Sequence, residues 1–295
     1  MIKRIFLSVQ LLIGFSAQIN GAPTLYTYKN IDGIDLKLQV FNPEKINPQD
    51  SCPAVLFFFG GGWQSGTPQQ FVHQAKYFAS RGIVAILVDY RIESKDGVKP
   101  NECVKDAKAA IRYVRKNAMK LGVDPNKIIA SGGSAGGHLA AATALCKEFD
   151  HADDDLSIDG KPNALVLFNP VIDNSKEGYG YERVAEFFPA ISPLHNITKG
   201  APPTLFLLGS KDNIVSVSTA QKFEQKMKDT GSYCKVIIYE GESHGFFNYK
   251  KDNPHNYCRT LYDADVFLES LGYLKGKPTI YSYCFCSSSL ASSSK

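Results

Sequence analysis

The chain has 295 residues, 44% hydrophobic and 21% charged, the make-up of a globular protein with a sizeable core. Its formal charge of +4 is small and its Lys and Arg are scattered, so nothing supports nucleic-acid binding. The seven cysteines, at 52, 103, 146, 234, 258, 284 and 286, match no zinc-ligand spacing and read mostly as buried small apolar side chains, with any disulfide pairing left open.

At the amino end Lys3 and Arg4 precede an apolar run over 5–15 and then small residues at Ser16, Ala17, Gly21 and Ala22. That is the pattern of a secretory signal over 1–22, and the run is too short for a stable membrane span. Residues 25–28 and 34–41 read as a hairpin, with Asn30-Ile31-Asp32-Gly33 supplying the turn. Residues 54–59 are apolar throughout, as expected of a strand covered on both faces, and run straight into Gly60-Gly61-Gly62-Trp63. Three glycines in a row fit a loop whose N–H groups closely approach a ligand, here a candidate oxyanion loop.

A helix is predicted over 69–80, a buried strand over 83–88, and an amphipathic helix over 104–121 with Ala107, Ala110, Ile111, Val114 and Ala118 on one face. A strand from Lys127 then ends at Gly132-Gly133-Ser134-Ala135-Gly136, and a helix follows over 137–147. This is G-x-S-x-G in its strand–turn–helix setting, where glycines make room for a serine at the tip of a strained turn and the helix N-terminus faces a developing oxyanion. Residues 150–160 read as an acidic surface loop. Strands follow over 164–168, 204–208 and 235–239, with helices over 218–230 and 263–271. Residues 171–199 show no clean period and read as an irregular excursion over the active-site face. Strands alternating with helices argue for one α/β domain over 23–275, a mostly parallel sheet with helices on both faces, and a Ser-rich, disordered tail over 276–295.

A serine nucleophile needs a base, and histidine has the right chemistry. Of the six histidines, His138 is expected to be carried away from Ser134 by its helix, and His73 lies in a surface-helix pattern. His151 and His255 read as solvated, and His195 as a pocket residue. His244 sits in a glycine-flanked loop after the last strand, where catalytic groups are placed. The orienting carboxylate is expected between serine and histidine in chain order; Asp212, at the end of the 204–208 strand, is favoured over Asp173 and Glu242.

The residues Phe59-Gly60-Gly61-Gly62-Trp63, Asp89-Tyr90-Arg91, Gly132 to Gly136, Gly209-Ser210-Lys211-Asp212 and His244-Gly245-Phe246-Phe247 occur in this order. Over about residues 25–274 the chain resembles the α/β-hydrolase esterases and lipases, in particular the acetyl esterase and hormone-sensitive-lipase-like carboxylesterases. The resemblance implies a catalytic triad of Ser134, Asp212 and His244, with oxyanion donors from Gly61, Gly62 and Ala135. The amino-terminal segment is too short for the full helical cap of many lipase-like relatives, so little or no cap domain is expected, and the resemblance implies no cofactor and no metal. The family usually has a histidine before the three glycines, where it braces the loop; here the residue is Phe59. The expected substrate is a small-molecule or carbohydrate ester with a short, acetyl-type acyl group. The alternatives are an exopeptidase or amidase of the prolyl-peptidase type, or a non-catalytic ligand-binding member. Oligomeric state is not legible in the sequence.

Overall fold

The computed structural model describes residues 22–44 and 51–282. The strands are β1 (Thr24–Ile31), β2 (Ile34–Phe41), β3 (Cys52–Phe58), β4 (Val84–Val88), β5 (Val123–Gly133), β6 (Ala164–Phe168), β7 (Thr204–Gly209) and β8 (Cys234–Tyr239). The helices are α1 (Val72–Ser80), α2 (Glu93–Asp96), α3 (Pro100–Lys116), α4 (Ala118–Leu121), α5 (Ala135–Leu145), α6 (Tyr181–Val184), α7 (Val217–Asp229) and α8 (His255–Ser270). The strands form one sheet in the order β1-β2-β4-β3-β5-β6-β7-β8. The hairpin β1–β2 joins antiparallel, β2 pairs antiparallel with β4, and the remaining six strands are parallel. This is the α/β-hydrolase architecture.

Strands β3, β4, β6 and β7 and the second half of β5 are largely apolar on both faces because both are covered. Alternation along each strand divides the core in two. Ala54, Leu56, Phe58, Val84, Ile86 and Val88 join the buried faces of α3, α5 and α7. Val55, Phe57, Ala85 and Leu87 point the other way, toward α1 and α8. Parallel strands put their carboxyl ends at one edge, and the turns after β3, β5, β7 and β8 therefore converge there.

Several boundaries differ from expectation. The helix expected over 104–121 begins at Pro100, a residue suited to a first helical turn, and breaks at Asn117, whose side chain donates to Tyr113 O at 2.8 Å. The last helix starts at His255 rather than 263; polar His255 and Asn256 mask a first turn whose Tyr257 and Cys258 are buried. The 150–160 loop is pinned, with Asp154 2.7 Å from Lys29 Nζ and Asp150 2.7 Å from Arg112. Cys258 is disulfide-bonded, unlike Cys103 and Cys146, which are buried thiols. Domain packing continues past 275: Ile280 is fully buried and Arg81 donates to Gly276 O at 2.8 Å. The signal segment up to residue 21 and the serines from 287 onward lie outside the described residues. Among the described residues, no helix is long and apolar enough to cross a membrane.

Candidate active site

Ser134 lies between the end of β5 and the first residue of α5, at φ 55° and ψ −119°. A non-glycine residue holds such a conformation only when its surroundings enforce it. Here they do: Ser134 N–H donates to Phe168 O at 3.0 Å, and Ser134 O accepts from His138 N at 3.0 Å and Val171 N at 3.1 Å. The motif glycines allow the crowding. A Cβ on Gly136 would sit 2.0 Å from Phe58 O, and one on Gly133 would sit 2.3 Å from the Phe247 ring.

The turn after β7 brings Asp212 to the same edge, with its side chain fully buried. Its Oδ1 accepts from Ile214 N at 2.8 Å and Val215 N at 2.9 Å, leaving Oδ2 for His244 Nδ1 at 2.7 Å. An ionised carboxylate can only accept, so Nδ1 carries the proton and Nε2 presents its lone pair. That Nε2 lies 2.9 Å from Ser134 Oγ. The acid turn and the histidine loop are tied together, since Lys211 N donates to Glu242 O at 2.9 Å and Gly241 N to Ser210 Oγ at 2.8 Å. Serine, histidine and aspartate thus form one hydrogen-bonded line in which a hydroxyl can pass its proton to an imidazole held by a carboxylate.

The Gly60–Trp63 loop lies against this line. A Cβ on Gly60 would come 3.3 Å from Ser134 Cβ, and Gly61, Gly62 and Trp63 all have positive φ, at 132°, 65° and 62°. Ala135 opens α5, where a backbone N–H has no intrahelical acceptor. Phe59 stacks on Tyr90 with ring centroids 4.1 Å apart, and Tyr90 OH donates to Phe59 O at 2.6 Å. This contact occupies the position where the resemblance leads one to expect a histidine brace.

The remaining histidines sort by their contacts. His138 leaves the serine as expected, but into a role that sequence does not reveal. It is fully buried, Trp63 Nε1 donates to its Nδ1 at 3.2 Å, and its Nε2 lies 2.9 Å from Ile191 O. The indole can only donate, so the proton sits on Nε2 and is given to Ile191 O. Burial pushes the His138 pKa down to about 4, keeping the ring neutral. His138 therefore links the Gly60–Trp63 loop to the 171–199 excursion. From that excursion Arg183 donates to Gly62 O and lies 5.1 Å over the Trp63 ring.

His151 is not solvated; its Nε2 is 2.9 Å from buried Asp106. His195 lines a cleft of about 720 Å³ with Tyr181, Phe188 and Lys226, but neither Ser134 nor His244 borders it. Asp173, the alternative acid, accepts from Ser175 N at 2.9 Å in a local turn and lines that same cleft. Among the described residues no group of three or more His, Cys, Asp or Glu could hold a metal ion.

A mostly parallel, helix-flanked sheet with a serine elbow, a histidine and a buried aspartate at strand ends defines the α/β-hydrolase class. A BD-FAE family model matches residues 38–178, and a dienelactone hydrolase family model matches residues 171–269. Esterase 2 of Thermogutta terrifontis, solved phosphoramylated by tabun, is 46% identical, with a TM-score of 0.84 over 87% of this chain and 97% of that one. The Mycobacterium tuberculosis esterase LipC is 27% identical over 220 residues, 68% of this chain and 54% of that protein. An acetylxylan esterase of Xylanibacter ruminicola is 26% identical over 261 residues, 83% of this chain and 50% of that protein. The chain spans about half the length of these curated relatives. It belongs to the α/β-hydrolase esterases, the carboxylesterase-type serine hydrolases.

Proposed function

We propose that the protein is a secreted serine carboxylic-ester hydrolase for short acyl esters, with acetylated carbohydrates among its substrates. The observation that carries the reading is the line from Ser134 Oγ to His244 Nε2, 2.9 Å, and from His244 Nδ1 to Asp212 Oδ2, 2.7 Å. In this reading Ser134 attacks the ester carbonyl as His244 takes its proton. Asp212 holds the imidazole in the required tautomer and stabilises the imidazolium. The oxyanion is met by N–H groups of Gly61, Gly62 and Ala135. His244 then protonates the leaving alcohol, the acyl-enzyme forms, and water attacks it with His244 again as base.

Short acyl groups are supported by Thermogutta terrifontis esterase 2, which has been solved with propionate and with butyrate bound. Carbohydrate esters are supported by the acetylxylan esterase relative. Export is supported by the amino-terminal apolar run and by the disulfide at Cys258, a bond kept in oxidising compartments. Turnover of 4-nitrophenyl esters from acetyl to decanoyl, run beside acetylated xylan, tests the reading. The expected result is a rate that peaks at two to four carbons and vanishes in Ser134→Ala. Equal rates in Ser134→Ala would overturn the nucleophile assignment, and faster cleavage of dipeptidyl anilides than of esters would favour an exopeptidase.

A further inference from the structure

The oxyanion loop and the histidine loop are far apart in the chain, yet two side-chain amides, those of Gln70 and Asn248, join them. Gly60 N–H donates to Gln70 Oε1 at 2.6 Å, Gln70 Nε2 to Asn248 Oδ1 at 3.1 Å, and Asn248 Nδ2 to Gly245 O at 2.8 Å. From the other side of the same glycine, Gly245 N–H donates to Asn169 Oδ1 at 3.1 Å, and Asn169 Nδ2 lies 3.4 Å from His244 Nε2. Backbone groups fix the orientation of every amide in this series. Gly60 N–H can only donate, so Gln70 must accept there and donate onward; Gly245 C=O can only accept, so Asn248 must donate to it. Gly245 N–H orients Asn169 by the same reasoning.

The carriers of these amides are themselves rigid. Gln70 precedes Phe71 and Asn248 follows Phe247; both rings are buried and stack on each other with centroids 5.6 Å apart. Asn169 is fully buried at φ 36°, and its N–H donates to Leu207 O at 2.7 Å. The three loop glycines have no side chains with which to hold themselves in place, and Phe59 has no side-chain polar group to supply a brace.

We propose that Gln70 and Asn248 are positioning residues that set the spacing between the oxyanion loop and His244, while Asn169 holds the histidine loop at Gly245 N–H. Through them the loop's N–H donors and the histidine Nε2 reach the same tetrahedral centre. The proposal rests on the assignment of Ser134 and His244 as nucleophile and base. It places Gln70 and Asn248 in one mechanical link, so that breaking the link once removes its benefit.

Steady-state hydrolysis of 4-nitrophenyl acetate by the full chain tests this, comparing Gln70→Ala, Asn248→Ala, the double variant and Ser134→Ala. Active sites are counted by stoichiometric fluorophosphonate titration. Each single variant is expected to lower kcat per titrated site by roughly tenfold to a hundredfold, with KM within about twofold. The double variant should fall no further than the weaker single variant. Gln70→Glu keeps the acceptor for Gly60 but cannot donate to Asn248, and being nearly isosteric it keeps the test open should the alanine variants fold poorly; it too should lose kcat. An unchanged kcat per site, with only the melting temperature or the number of sites falling, would overturn the link and leave a structural role. Multiplying losses in the double variant would also overturn it. Activity in Ser134→Ala would instead defeat the underlying nucleophile assignment, an outcome distinct from either.

Discussion

The two sides of the candidate site are held in different ways. On the acid–base side, Asp212 and His244 sit on short turns directly after β7 and β8. Asp212 is oriented by backbone N–H groups two and three residues on, at Ile214 and Val215, and the two turns are tied together where Lys211 N donates to Glu242 O. On the other side, the Phe59–Trp63 segment is held by side chains, those of Gln70, Tyr90, His138 and Arg183. The acid is oriented mainly by backbone N–H groups, the glycine loop mainly by side chains. Changes on the first side should therefore alter chemistry at almost no cost in folding, and changes on the second should alter both.

The largest effect is expected from Asp212→Asn. Two backbone N–H groups already claim Oδ1, so the amide must turn its NH₂ toward His244 Nδ1. The ring is then forced into the Nε2–H tautomer and cannot take the serine proton. The kcat should drop by about 10³- to 10⁴-fold with unchanged melting temperature. A drop below about tenfold in ester turnover would show that this side does not work as described.

His138 probes the other side through stability. Its folded pKa, about 4, lies below the ordinary value of 6.5. As the pH falls from about 6.5 toward 4 the unfolded chain takes up this proton first, so folding stability declines across that window and is fully present above it. The depression of about 2.5 units corresponds to about 3 kcal/mol in total. Urea denaturation at a series of pH values should show this slope in the parent. His138→Gln, which has no ionisable ring, should show a slope reduced by about one proton. An identical slope in both would remove His138 from the account.

Arg183→Ala should have the smallest effect. The guanidinium rests over Trp63 and donates to Gly62 O from a half-buried position, so its loss loosens the loop without exposing core. A fall in kcat of about three- to tenfold is expected for acetyl esters, with a melting temperature within about 2 °C of the parent. Unaltered kinetics would mean that the 171–199 excursion does not steady the loop.

This contrast also explains what could be read from the sequence. The inner parallel strands are legible because burial on both faces makes them largely apolar, and the elbow because G-x-S-x-G carries its own steric logic. Asp212 and His244 were legible because strand ends and chain order confine the choice. The brace at His138 was not: its position one turn into α5 correctly removes it from Ser134, but nothing local announces Trp63 or Ile191 as partners. His151 was misread for the same reason, since Asp106 lies 45 residues away. The start of α8 was hidden because polar residues open a helix whose apolar stripe begins only at Tyr257.

Everything proposed for this site depends on Ser134 being the activated nucleophile. Peptide mapping by mass spectrometry after reaction with a fluorophosphonate tests it most directly. A single stoichiometric adduct on Ser134 is expected, formed at least a hundredfold more slowly when His244 is replaced by alanine. An adduct on another residue, or a rate indifferent to His244, would contradict it.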